Sequence, residues 1–469
     1  MMTETESTYF REAAEYHSRS TGPITTWVSV IVIACVASVL ANHIISLIDS
    51  GRMLPISWGS VILAVPLAVV CYFLGIATIF YLADIPHPIP LFTAVFVLRL
   101  ILGFVLSVLF QADDELTFHY AGIEHPYGVI SWNEGKGYYH LVSMLYSAFG
   151  PNFLLPKVVN TLIGSLIPFF LYDLGRQCFN EPKAAWRSFL FAAFLPPLVL
   201  FSALNLKEIL TVFLLVLTMW LLIVPRRSTV WKIGAAVFSS SILYWLRGAP
   251  WAAVAVAGVI AYLVLGETWG LKGMRKRRVV PGLLLGSLLA LFALSFLSET
   301  IRERVGSRLT EETYYKQRFE GSSATVMQFV DKSNAFAPKN LGVLFLRGLY
   351  TPSPFRFLFD YSLSSIIEAS VMIVWYLLFP FAVAGFLAER HKGIVVACGV
   401  VVSAILAIVS MGVMFGTDPY RHRIAAMGLV FTLAGGGFQN GIFARFRWVF
   451  RLWWIGAFLF TAVWIVFRV

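Results

Sequence analysis

The sequence predicts an all-α fold, a polytopic transmembrane helical bundle of about 13 spans with amphipathic helices in its outward loops. Three observations carry that expectation. The 469 residues are 58% hydrophobic and 15% aromatic, only 13% are charged, and the mean hydropathy is +0.78. Water-soluble domains carry about 25% charged residues. Apolar runs of roughly 20 residues, the length a helix needs to cross the hydrocarbon core, recur along the chain. Lysine and arginine gather in alternate connections, the asymmetry that marks cytoplasmic loops.

Residues 1–24 are acidic and mixed in charge (Glu4, Glu6, Arg11, Glu12, Glu15, Arg19). They lack the basic n-region and small-residue cleavage site of a signal peptide, so the expectation is a cytoplasmic N-terminal segment and a first apolar run kept in the mature protein. Residues 25–469 read as one membrane domain, without repeat, low-complexity tract or linker. Spans are expected at 25–48, 57–82, 90–110, 153–175, 188–204, 208–224, 230–246, 250–266, 280–297, 363–388, 393–415, 424–440 and 452–468. The alternate loops hold Arg176, Lys183 and Arg187, then Arg226, Arg227 and Lys232, then Lys272 with Arg275, Lys276, Arg277 and Arg278, then Arg390 and Lys392, then Arg445, Arg447 and Arg451. These face inward under the positive-inside rule. The net charge of +11 is therefore largely topology, and no nucleic-acid partner is expected. Cys35, Cys71, Cys178 and Cys398 fall in apolar spans or an inward loop, which indicates no disulfide framework.

Three outward segments remain. Residues 111–152 form a polar island between apolar spans and open with Asp113, Asp114 and Glu115. Adjacent carboxylates repel one another and resist desolvation, conditions that suit a proton-transfer group; the bland reading is a solvated helix cap. Residues 298–361 are first amphipathic and mixed in charge, then apolar up to Pro352 and Pro354, which stop a helix. The segment from Gly416 to Arg423 places Arg421 and Arg423 outside, against the topological bias; the bland reading is snorkelling to lipid headgroups. Arg99 lies inside a span and is expected to face a carboxylate or polar cavity. Arg247 follows Tyr244, Trp245 and Leu246, where anchoring at the membrane interface and substrate contact are both open. Gly435, Gly436 and Gly437 suggest close helix packing.

The longest inward loop, near 267–280, is far too short for a nucleotide-binding domain, and no glycine-rich phosphate loop or nucleophile triad occurs. A group transfer at the outer surface therefore needs a lipid-linked donor. Asp114-Glu115 with Phe118 and Tyr120, then His125-Pro126, Gly137-Tyr138-Tyr139-His140-Leu141, Phe149-Gly150 and Asn160 resemble the GT-C glycosyltransferases that use polyprenyl-phosphate sugars, the group of protein O-mannosyltransferases and lipid A aminoarabinose transferases. The likeness continues at Leu204-Asn205-Leu206-Lys207-Glu208, Arg347-Gly348-Leu349 and Arg421-His422-Arg423. It covers most of residues 111–425.

This resemblance implies a glycosyltransferase of a bacterial or archaeal plasma (inner) membrane that moves a sugar, with inversion, from a polyprenyl-phosphate donor to a glycan, lipid or protein hydroxyl. Asp114 takes the place of the family's catalytic aspartate, with Asp113 and Glu115 as its neighbours. Lys207, Arg347, Arg421 and Arg423 are the expected holders of the donor phosphate, and His119, Tyr120, His125, Tyr138 and Tyr139 the expected substrate contacts. A surface pair remains the alternative for Lys207 and Glu208. No cofactor is required; a divalent metal held by His119, His125 or His140 with the acids is the alternative, against which stands the absence of ligand spacing. Two further function classes stay open, a polymerase or ligase of polyprenyl-diphosphate-linked glycans and a flippase or transporter of lipid-linked glycans. Two extra spans precede the Asp-Glu pair here, where the family usually presents it after the first span.

Overall fold

The computed structural model describes residues 58–82, 85–109, 113–124, 136–223, 229–265, 346, 348–350, 363–414 and 419–468. These residues form helices and no strand. In chain order the helices are α1 (Trp58–Leu82), α2 (Pro88–Leu109), α3 (Asp113–Glu124), α4 (Gly137–Phe149), α5 (Leu154–Phe179), α6 (Pro182–Phe194), α7 (Pro196–Ser202), α8 (Glu208–Ile223), α9 (Thr229–Arg247), α10 (Ala249–Leu265), α11 (Leu363–Glu389), α12 (Gly393–Met414), α13 (Pro419–Gly437), α14 (Asn440–Arg445) and α15 (Arg447–Arg468).

Helices occupy eleven of the thirteen expected span positions; the other two, 25–48 and 280–297, lie outside the described residues. By length and composition, 5 described helices can cross a membrane, or up to 6 if the bent pair α6 and α7 is one span. That pair corrects the single span expected at 188–204. It starts earlier, at Pro182, and bends by 45° between Phe194 and Pro196. The cause is the dipeptide Pro196-Pro197, which cannot continue the hydrogen-bond ladder of α6.

Arg99 explains how the break is tolerated. Residues 196 and 197 should donate N–H groups to the carbonyls of Ala192 and Ala193, and both are proline. Arg99, fully buried in α2, supplies the missing donors, with Nη2 2.7 Å from the Ala192 oxygen and Nη1 3.0 Å from that of Ala193. The counterpart expected for it, a carboxylate or cavity, is thus a broken helix end.

The centre of the bundle is α5, whose apolar stretch is 89% buried and which packs against α1, α2, α6, α8 and α13. Asn152 sets its start, accepting the Leu154 N–H at 2.9 Å and donating to Ser60 in α1 at 2.8 Å. Asn180 ends it in the left-handed conformation at φ 51°, which asparagine tolerates. The glycine run behaves as expected. A Cβ at Gly437 would strike the Phe381 carbonyl of α11, and one at Gly385 the Leu433 carbonyl of α13, so these two backbones touch directly. Cys71, Cys178 and Cys398 are buried free thiols.

The two ends of the bundle differ in chemistry. At one, basic residues close helix ends: Lys392 donates to the Cys178 carbonyl at 2.9 Å and pairs with Glu389 at 3.1 Å, and Arg187 donates to the Gly435 carbonyl at 3.3 Å. Helices α3 and α4, the 203–207 connection, the C-terminus of α9 and the N-terminus of α13 gather at the other.

Candidate active site

The site is built on the connection between α7 and α8. Residues 203–207 are not helical, so their polar groups need partners from elsewhere. Asn160 in α5 places its side-chain nitrogen 2.8 Å from the Leu204 carbonyl, 2.9 Å from that of Leu206 and 3.0 Å from the Tyr138 hydroxyl. Tyr138 in turn donates to the side-chain oxygen of Asn205 at 2.9 Å. The Asn205 N–H donates to Glu115 Oε1 at 2.6 Å, and the same oxygen pairs with Lys157 Nζ at 2.9 Å. Glu115, Lys157, Tyr138, Asn160 and Asn205 are all buried. One polar network from α3, α4 and α5 therefore fixes the loop that leads into Lys207 and Glu208.

Above that network lies a cluster of charges drawn from four distant parts of the chain. Glu208 Oε1 accepts Arg247 Nη2 at 2.8 Å and Arg421 Nη2 at 3.1 Å. Arg421 Nη1 lies 2.6 Å from Asp114 Oδ2. Arg247 Nη1 donates to His422 Nδ1 at 2.9 Å, and Trp251 carries both, with the guanidinium 5.0 Å from its ring centroid and the imidazole stacked at 6.4 Å. Burial is graded: Glu208 is 3% exposed, Arg421 19% and Asp114 50%. Lys207 stands beside them. Burial first, then the neighbouring Arg247, pull its ammonium down to about 8, against the opposing pull of Glu208 and Asp114. Among the described residues, three cations face two carboxylates, an arrangement that suits an anionic ligand.

The expected residues separate accordingly. Asp114, Lys207 and Arg421 come together. Glu115, expected beside Asp114 as a catalytic neighbour, points into the network below, because successive residues on a helix diverge by about 100°. Tyr138 belongs to the same network. Arg423, expected at the donor phosphate, lies on the far side of α13 from Arg421. It is buried, donates to the Leu349 carbonyl at 2.8 Å and sits 5.4 Å from the Trp375 ring centroid. Trp375 donates to the same carbonyl at 3.0 Å.

His119 is buried against Tyr146, its Nδ1 2.7 Å from the hydroxyl, and burial pushes its pKa down. Tyr120 is exposed on α3. Tyr139 packs on Phe118, and burial, with Asp114 nearby, raises its hydroxyl. His140 stacks on Trp245. Among the described residues no group of three or more His, Cys, Asp or Glu could hold a metal. Arg347 and His125, and the side chain of Asp113, lie outside the described residues.

Sequence reasoning gave Glu208 no role beyond its pair with Lys207 and left Arg247 open between interface anchor and substrate contact. Both are central. The available signal was a buried acid at the head of an apolar helix beside outward arginines that needed a counter-charge. Lys157 carried no such signal, and Asn160 and Asn205 stood in the motifs without a role, because the part each plays arises only from tertiary placement.

No family model and no curated protein matches this sequence. Among solved structures, the chain is similar to the archaeal oligosaccharyltransferase AglB of Archaeoglobus fulgidus in complex with an inhibitory peptide and a dolichol-phosphate, at 16% identity over 73% of this chain and 50% of that one, with a TM-score of 0.40. An Archaeoglobus fulgidus oligosaccharyltransferase in complex with zinc and sulfate gives 14% identity over 78% and 50%, with a TM-score of 0.37. ArnT from Cupriavidus metallidurans bound to undecaprenyl phosphate gives 13% over 81% and 77%, with a TM-score of 0.29. The chain spans about half the length of the two archaeal proteins. Overlap of this extent fixes neither the family nor the reaction.

Proposed function

We propose that this protein is a GT-C-type membrane glycosyltransferase that moves a sugar from a polyprenyl-phosphate donor to a hydroxyl of a glycan, lipid or protein at the outer face, with the N-terminus in the cytoplasm. The observation that carries the reading is the convergence of a half-exposed carboxylate, Asp114, with Arg421, Arg247 and Lys207 at the end of the bundle remote from the basic loops. Acyl or phosphoryl transfer needs a nucleophile or nucleotide site; glycosyl transfer from a lipid phosphate needs a base and cations on the leaving group.

In this reaction the acceptor oxygen bonds to the anomeric carbon while the bond from that carbon to the phosphate oxygen breaks, and the electron pair leaves with the phosphate. Asp114 takes the acceptor's proton. Arg421 and Lys207 face the phosphate, and Glu208 with Arg247 keeps Arg421 in place. Attack opposite the leaving group inverts the anomeric centre.

The test is transfer by the purified chain in lipid nanodiscs, with a polyprenyl-phosphate sugar as donor. Asp114→Asn should reduce turnover by about 10²–10⁴-fold, the scale of general-base catalysis, with an unchanged melting temperature. Undiminished transfer removes Asp114 as the base. Turnover of a diphosphate-linked oligosaccharide in place of the monophosphate donor replaces the reading with a glycan ligase.

A further inference from the structure

We propose that Arg421 changes partners when the donor binds: the donor phosphate replaces Asp114 on its guanidinium, so that Asp114 is released as a base only once a donor is in place. The inference rests on the functional reading above and deepens it. Arg421 presents its two terminal nitrogens to two carboxylates, Nη1 to Asp114 at 2.6 Å and Nη2 to Glu208 at 3.1 Å. A phosphate oxygen requires the same N–H directions as a carboxylate oxygen, so an incoming phosphate competes with one of them.

The two competitors are not equal. Glu208 is buried, and its Oε1 also holds Arg247, which is itself backed by His422 and Trp251. Withdrawing Glu208 would leave the Arg247 guanidinium, held away from water, without its counter-ion, a costly loss. Asp114 is half exposed on α3, and an ion pair so placed is weak and readily exchanged. Glu208 is thus the fixed partner and Asp114 the exchangeable one. While Asp114 rests on Arg421, its Oδ2 is engaged and does not face an acceptor hydroxyl.

Charge matches the exchange. A donor phosphodiester carries one negative charge, which complements the excess of cations over carboxylates among the described residues of the cluster. Water or acceptor arriving before the donor meets a carboxylate whose Oδ2 is held by Arg421, so the contact works as a self-inhibiting latch at that oxygen.

The decisive measurement is the affinity of the full chain in nanodiscs for undecaprenyl phosphate, in wild type and two variants whose melting temperatures are checked alongside. Asp114→Asn removes a competitor and is expected to tighten binding by about two- to fivefold, the scale of a half-exposed ion pair. Lys207→Gln removes a cation and no competitor, and is expected to weaken it. In a lipid-bound density map, Arg421 should stand more than about 4 Å from Asp114, the ion-pair limit, and keep its contact with Glu208. Equal or weaker binding by Asp114→Asn, or Asp114 still seated on Arg421 beside bound lipid, overturns the exchange and leaves the functional reading standing. A wild-type chain with no affinity for undecaprenyl phosphate overturns that reading itself.

Discussion

Lys157→Met tests whether the buried network, and not the charge cluster alone, makes the site. Lys157 Nζ lies 2.9 Å from Glu115 Oε1, and that oxygen also takes the Asn205 N–H at 2.6 Å. Both side chains are withdrawn from water. Truncating the lysine leaves a charged carboxylate in a poorly polarisable interior without its counter-ion. Buried pairs broken from one side lose about 3–5 kcal/mol. In the double variant Glu115→Gln with Lys157→Met the charge is gone, and the glutamine oxygen still accepts from Asn205. Its cost should fall to about 1 kcal/mol, that of one weakened hydrogen bond. The double variant should therefore be more stable than Lys157→Met alone, a coupling of several kcal/mol. Unfolding titrations of the four proteins in mixed micelles measure it. Lys157→Met within about 0.5 kcal/mol of wild type, or additive single effects, would refute the reasoning.

Three further outcomes are expected. Arg99→Leu orphans the Ala192 and Ala193 carbonyls and should cost about 2–5 kcal/mol, with partial recovery in Arg99→Lys, as read from melting temperatures. Gly437→Ala drives a methyl into the Phe381 carbonyl; separating α11 from α13 should lower stability by at least about 1–3 kcal/mol. For Lys207, the charged form is present below its folded value of about 8 and lost above it, so affinity for undecaprenyl phosphate should fall as pH rises from about 7 to 9. Lys207→Arg should hold its affinity across that window, because arginine stays charged. The loss would not reflect unfolding. The folded value lies below the unfolded one, so the unfolded chain binds this proton more tightly between about 8 and 10.5, and stability from this group rises with pH there.

Long apolar runs made the helices legible, since the solvent they imply leaves few alternatives to α-helix. The break at Pro196-Pro197 was visible as chemistry and was missed as geometry. A window that averages hydropathy smooths over two adjacent prolines, and the rescuing Arg99 is almost a hundred residues away. In the site, Asp114, Lys207 and Arg421 stood out because charge at a membrane boundary is conspicuous. Glu115 and Arg423 stood out for the same reason and were misplaced, because adjacent or alternate residues on a helix cannot all face one point. Asn160, Asn205 and Tyr138 stood in the motifs, but their joint network could not be read there; it is a set of hydrogen bonds that exists only once α3, α4 and α5 are assembled.

The first turn of α13 is keyed at two points. Arg421 and Arg423 leave it roughly 200° apart, one fastened to acids of α3 and α8, the other to a main-chain oxygen at Leu349. Like a shaft with opposed pins, the helix can neither spin nor slide without shearing one of them. Deleting the single residue between the arginines would swing one pin by about 100°, so the number of residues in this turn matters as much as their identity.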